Sequence, residues 1–124
     1  MRKKPVNPGG LFHVHRTVSD MKASIDFYVT VLGYYYDHGT TEMAWLRKPG
    51  LLLTLSPGET VLDLGSYLGW TVEDADELSK IYAELERRRL RLSAPPDQEN
   101  NQHYFFLYDP DDYPIAFSVQ QFEE

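Results

Sequence analysis

His13 and His15 stand one residue apart in a stretch, LFHVHRTV, whose residue types alternate. Phe12, Val14 and Val18 fall on one side, and His13, His15 and Thr17 on the other, with Arg16 interrupting the apolar side. That alternation predicts a half-buried strand over 11–18. Imidazoles at i and i+2 of a strand project to the same face, where they can touch one ligand or share one metal ion. A free imidazole gains or loses its proton near neutral pH, so the pair also suits acid–base chemistry. The other two histidines offer no matching spacing: His38 adjoins Gly39 in a turn signal and is expected exposed, and His103 falls opposite Tyr104 and Phe106. There is no cysteine, which removes disulfides, zinc ribbons and thiol nucleophiles. No Gly-rich phosphate loop or G-x-S-x-G elbow is present.

The elements that must hold the pair follow from pattern. The first ten residues, with Pro5, Pro8, Gly9 and Gly10, read as a tail. Ser19 and Asp20 are cap types, and Ile25, Tyr28, Val29 and Leu32 follow at helical spacing up to a stop at Gly33. Tyr34–Tyr36, Met43–Arg47 and Leu51–Leu55 read as strands parted by His38-Gly39 and Pro49-Gly50, and Ser56–Gly65 as a connector. Ser66–Val72 then reads as a fifth strand. Asp74 caps a helix marked by Leu78, Ile81, Tyr82, Leu85 and Leu90. A short strand near Leu92, a Pro- and Asn-containing loop over 94–101, strands at His103–Tyr108 and Pro114–Val119, and a turn at Asp109–Tyr113 complete the chain.

The second half repeats the first. A shift of fifty-four residues lays Thr17 on Thr71, Val18 on Val72, Asp20 on Asp74 and Tyr28 on Tyr82. These matches fall at a strand end, a helix cap and a helix core face in both copies. The pattern is a duplicated βαβββ unit, each copy too small to bury its own sheet. The expected segments are a tail at 1–10, modules at 11–56 and 66–120, a linker at 57–65 and a tail at 121–124.

Composition bounds the partners. The 124 residues carry 42% hydrophobic and 25% charged types, a globular balance. No apolar run approaches the roughly 20 residues of a membrane helix, and the basic opening MRKKPVNPGG lacks an apolar signal core. A net charge of −7 argues against nucleic acid and favours cationic small molecules. No membrane partner is expected, and the absence of cysteine suits a cytoplasmic location. Nine Tyr, six Phe and two Trp either fill a core or line a ligand cavity.

HVHRTVSD at 13–20, FYVTVLG at 27–33, TVEDAD at 71–76 and FFLYDPDDYPIAF at 105–117 resemble the vicinal oxygen chelate superfamily. That superfamily includes glyoxalase I, bleomycin-resistance proteins, fosfomycin-resistance transferases and extradiol dioxygenases. The most specific stretch is Asp109-Pro110-Asp111, with Asp112 where the family usually has Gly. The resemblance implies an α+β fold of two tandem βαβββ modules curled into a half-open barrel around a cavity, in a homodimer. It also implies a divalent metal held by a His from each module's opening strand and a Glu from the closing strand. Those positions here carry His13, Tyr67 and Ala116. A catalytic metal needs about three protein donors. Alanine has none, and a phenol that keeps its proton is a poor ligand, so no cofactor is expected and a divalent metal is disfavoured.

Alternation and the resemblance together give an inward set: His13, His15, Thr17, Met43, Trp45, Arg47, Leu52, Thr54, Tyr67, Gly69, Tyr104, Phe106 and Ala116. Of these, His13, His15, Trp45, Thr54, Tyr67, Tyr104 and Phe106 are the expected ligand contacts. The acid-then-base run Glu84–Arg89 suits a helix C-terminus, and the aspartates at 109, 111 and 112 suit a turn. One reading is a metal-free binder of an aromatic or cationic small molecule. Another is a lyase, isomerase or dioxygenase-type enzyme, with His13 and His15 as acid–base groups and Tyr67 as an oxyanion donor, or with a rearranged metal site. A third is an accessory subunit.

Overall fold

The computed structural model describes residues 12–60, 67–97 and 99–120. Leu11, Ser66 and the two expected tails, with most of the expected linker, lie outside those residues. The chain divides into two compact units at Thr60/Val61.

The first unit runs β1 (Phe12–Val18), α1 (Met21–Thr30), β2 (Tyr35–Gly39), β3 (Ala44–Lys48) and β4 (Leu51–Pro57). Its four strands lie in the order β1-β4-β3-β2, with β1 parallel to β4 and the other neighbours antiparallel. A βαβββ chain gives this order when the helix carries it across the sheet and two hairpins bring it back. Leu46, Leu53, Leu55 and Val18 are fully buried on one face of the sheet, and α1 adds Ser24, Phe27 and Tyr28 to the core. Asp20 caps α1 by accepting a hydrogen bond from the Ala23 amide at 3.1 Å. Gly33, at φ +72°, takes the left-handed step that ends it, and the Tyr34 amide donates back to the Tyr28 carbonyl. Burial pushes the Tyr34 phenol upward, partly opposed by the Arg16 guanidinium, so its hydroxyl keeps its proton.

The second unit runs β5 (Leu68–Val72), α2 (Ala75–Arg87), β6 (Tyr104–Tyr108) and β7 (Pro114–Val119), with strand order β5-β7-β6. The fourth strand of the plan survives as a single bridge between Leu92 and Leu107, supported by Ser93→Phe106 and Tyr108→Arg91 backbone hydrogen bonds. Pro95 and Pro96 follow at once and have no N–H to extend a ladder. Asp74 caps α2 as Asp20 caps α1, and Val72 ends β5 as Val18 ends β1. The fifty-four-residue repeat is therefore structural as well as sequential. Phe105, Leu107 and Ile115 are fully buried, with Leu78 and Leu85 of α2 in the same core.

Local readings need correction. Strand β4 runs through Ser56 and Pro57, residues expected in the connector, and β6 begins at Tyr104, so His103 stands before it. His38 and Gly39 lie within β2, because a bulge at Asp37 lets the strand continue past the turn signal. Helix α2 stops before Leu90, since Arg89 adopts φ +60°. On α1, Ser24 rather than Ile25 or Val29 accompanies Tyr28 in the core.

Candidate functional site

Residues paired directly across a sheet share a face, so the register says which side chains assemble. In the first unit one row reads His15–Thr54–Trp45–His38, one residue from each of the four strands. The neighbouring row reads His13–Leu52–Arg47–Tyr35, and Thr17 pairs with Ser56 beyond. The expected first-module residues His13, His15, Thr17, Trp45, Arg47, Leu52 and Thr54 thus share one face. Met43 precedes β3.

Both imidazoles hang on one hydroxyl. Thr54 Oγ1 lies 3.1 Å from His13 Nε2 and 2.7 Å from His15 Nδ1, and His15 Nε2 lies 3.0 Å from Ser56 Oγ. Thr54 is only 2% exposed, so its hydroxyl depends on these partners. A hydroxyl has one proton to give. It can donate to one imidazole only while accepting an N–H from the other, so the tautomers of His13 and His15 are linked through it. Ser56 extends the chain to a fourth side chain. It falls in the stretch expected to be a connector, and alternation carried two residues past Thr54 reaches it.

Beside this chain His38 stacks on Trp45, with ring centroids 4.2 Å apart and planes 12° from parallel. Such a pair contributes roughly 0.5–1.5 kcal/mol beyond its burial. Arg47 Nε donates to Asp37 Oδ2 at 2.9 Å, and this hydrogen bond holds the Asp37 carboxyl below the usual range. His38, exposed as expected, is therefore part of the aromatic–polar face rather than a bystander.

In the second unit Gly69, Ala116 and Phe106 form one row and Thr71, Ser118 and Tyr104 the next. Tyr67, just before β5, meets Phe106 edge to face at 5.4 Å, and Phe106 meets Tyr104 at 5.9 Å. The face is a run of rings. At the end of this sheet Asn101, His103, Tyr104, Ser118 and Val119 line a shallow cavity of about 270 Å³. His103, expected opposite Tyr104, precedes the strand and sits beside it there, its Nε2 2.9 Å from Asn101 Oδ1.

The family's chelating positions can be judged by donor chemistry. His13 already engages Thr54 through Nε2, Tyr67 offers an exposed phenol, and Ala116 offers a methyl group. The position that matches Ala116 in the first unit, by its pairing across the sheet, is Thr54, also without a carboxylate. Among the described residues no group of three or more His, Asp or Glu side chains comes close enough to hold a metal ion. This donor set does not fit a chelated divalent cation.

Among curated proteins no sequence match is found. Solved structures of the same fold are numerous. A protein of Bacillus cereus described as a possible glyoxalase is 23% identical with a TM-score of 0.73, over 88% of this chain and 97% of its own. A glyoxalase/bleomycin resistance protein/dioxygenase of Alicyclobacillus acidocaldarius is 23% identical with a TM-score of 0.70, over 91% and 92%. The fosfomycin resistance protein FosX of Listeria monocytogenes is 11% identical with a TM-score of 0.76, over 91% and 94%. These likenesses speak to fold alone. The family model matching residues 10–117 spans nearly the whole chain, and with the duplicated βαβββ plan it fixes the lineage: this chain belongs to the glyoxalase/bleomycin resistance protein/dioxygenase superfamily.

Proposed function

We propose that this protein binds a small planar molecule, aromatic or cationic, without a chelated metal. The candidate contacts on the first module's sheet are His13, His15, Trp45 and Thr54; Tyr67, Tyr104 and Phe106 are those on the second module's own face. The observation that carries the reading is the row His15–Thr54–Trp45–His38, which sets a stacked ring pair beside hydrogen-bonding groups on one face. Flat rings gain dispersion and cation–π attraction from such a surface, and a few fixed polar groups select among them. The net charge of −7 favours a cationic guest. The missing carboxylate at Ala116 removes the reason to expect metal-centred turnover. A reducing, cytoplasmic setting and a homodimeric state belong to the same reading.

Calorimetric titration with a panel of planar aromatic and cationic compounds tests it. The expected result is stoichiometric binding that quenches tryptophan fluorescence, weakened about tenfold or more by Trp45→Ala. Product formation in the same mixture, or a full equivalent of divalent metal retained by untagged protein, would overturn it.

A second reading, proton-transfer catalysis of an isomerase or lyase kind, is favoured by the linked chain His13–Thr54–His15–Ser56. A proton accepted at one imidazole can be matched by one released at the other through the shared hydroxyl. Turnover that survives His13→Ala and His15→Ala in a folded protein would reject this assignment.

A further inference from the structure

The edge strand β2 lays one flat ring on another, and an irregularity in the ladder brings this about. An unbroken antiparallel ladder that pairs Tyr35 with Arg47 and Tyr36 with Leu46 would set Asp37 opposite Trp45. The bulge adds a residue there, so His38 pairs with Trp45 and Gly39 with Ala44. A carboxylate is thereby exchanged for an imidazole over the indole. Asp37, released from that place, accepts from Arg47 Nε at 2.9 Å.

The bulge is built into the chain. Gly39 has no left-handed φ, so backbone freedom does not explain it. A Cβ there would run into the Tyr36 hydroxyl and come within 3.2 Å of the Met43 carbonyl. That same carbonyl accepts from the Thr40 amide at 2.7 Å, which closes the turn beyond. The duplicate does without such a stack. Phe106 holds the place of Trp45 in the second module, where the fourth strand is reduced to one bridge, and it meets Tyr67 and Tyr104 edge to face.

What the bulge delivers is lightly held. The His38 side chain is 58% exposed, and its one ionic contact among the described residues is Nδ1 to Asp37 Oδ2 at 3.4 Å. Asp37 is already tied to Arg47. The stack on Trp45 is therefore the main tie of the imidazole, and nothing blocks its way out to solvent.

We propose that His38 is a displaceable stand-in for the ligand: a heteroaromatic cation of the imidazolium or pyridinium kind takes its place against Trp45. The imidazole lies as such a ring would, its centroid 4.2 Å from the indole's and its plane 12° from parallel. A cationic guest there gains cation–π attraction to Trp45 and enters the field of the Asp37 carboxylate. Its affinity is a difference, since the gain on the indole is reduced by the stack it breaks. A neutral ring gains no more than the imidazole it expels, whereas a cation gains more. His38 thus sets both affinity and selectivity. The inference rests on the planar-ligand reading above and deepens it by naming the cation and the residue that competes with it.

Calorimetric titration with N-methylquinolinium, followed also by histidine ring NMR, tests it. His38→Ala should bind this cation about two- to tenfold more tightly than the parent, the factor set by one stacked pair. His38→Phe keeps a flat ring on the indole and should gain nothing. His38 is exposed on an edge strand, so both variants should keep the parent's circular dichroism. The parent supplies its own readout without any variant. Its His38 ring protons, shielded by the indole, should move to the positions of an unstacked imidazole as the cation saturates the protein. Binding that is unchanged or weakened in His38→Ala would overturn the inference and leave the planar-ligand reading intact. So would a bound cation that leaves the His38 signals shielded. Absence of N-methylquinolinium binding to parent and His38→Ala alike would also overturn it, and the wider compound panel then decides the planar-ligand reading by itself.

Discussion

The two modules share topology, caps and register but equip their sheets differently. The first has four full strands and sets imidazoles, hydroxyls, an indole and a guanidinium across one face. The second has three strands and a corresponding face of phenyl and phenol rings around Gly69 and Ala116. Their pseudo-equivalent centres, Thr54 and Ala116, make the contrast sharpest: one anchors two histidines, the other anchors nothing. Duplication supplied two related scaffolds: imidazoles and a guanidinium gathered on the first, rings with the hydroxyls of Thr71 and Ser118 on the second. The helices differ in the opposite sense, since α2 is cleanly amphipathic while α1 carries apolar residues on both sides.

Breaking the helix comparison gives the largest expected effect. Leu78 and Ser24 occupy equivalent positions, both fully buried. Leu78→Ala should cost about 2–5 kcal/mol, the loss of apolar contact plus the cavity left behind. Ser24 Oγ has no hydrogen-bond partner among the described residues, so Ser24→Ala should cost nothing and can gain about 1 kcal/mol. Urea unfolding of both variants checks the pair, and a loss above about 1 kcal/mol for Ser24→Ala would show a hidden partner.

The helix ends sharpen the same contrast. Gly33 closes α1 at φ +72°, whereas Arg89 takes the left-handed position after α2 at φ +60°. A side chain in that region costs roughly 1–2 kcal/mol. Gly33→Ala should therefore lose about 1 kcal/mol. Arg89→Gly should gain about 0.5–1 kcal/mol once the looser unfolded chain is counted. Thermal melts read both signs.

Much of this is legible in the residues, for identifiable reasons. Asp20 and Asp74 mark helix starts because a carboxylate satisfies open amides wherever it stands before an apolar run. Alternation places His13, His15, Trp45 and Thr54 on one side because a strand's side chains flip with period two. What escapes the sequence depends on distant pairing. That Thr54 serves both histidines follows from the parallel register of β1 on β4, which brings together residues some forty positions apart. The inner face of α1 eludes the helical period because apolar residues on both sides leave that period without a preferred direction. His38-Gly39 has the composition of a turn, and the bulge at Asp37 that carries the strand through it is invisible in composition.

Thr54→Val tests the polar centre at smaller energetic scale. The change keeps shape and removes the hydroxyl, and the exposed imidazoles can turn to water. Stability should shift by less than about 1 kcal/mol. The nitrogen NMR signals of His13 and His15, by contrast, should lose their mutual dependence, and ligand affinity should fall. A Val variant whose imidazole tautomers match the parent would mean the shared hydroxyl organises nothing. Ala116→Thr in the other module should leave the histidine signals as they were.

The smallest expected effect separates the two modules by acid. Asp37 in the first is held low mainly by its hydrogen bond from Arg47, and Glu84 in the second by hydrogen bonds from Arg87 and Arg88. Both carboxyls titrate below their unfolded values, so each tie contributes fully at neutral pH and is lost as pH falls through the lowered folded value. Both also lie open to solvent, where screening leaves little of that contribution. Carboxyl NMR titration should find both depressed in the parent. Arg47→Gln should return Asp37 toward the ordinary carboxylate range while Glu84 stays where it was. If Asp37 remained depressed without Arg47, the bulge backbone rather than the guanidinium would be holding it. The β2–β3 edge would then owe its charge pattern to chain geometry instead of to the ion pair.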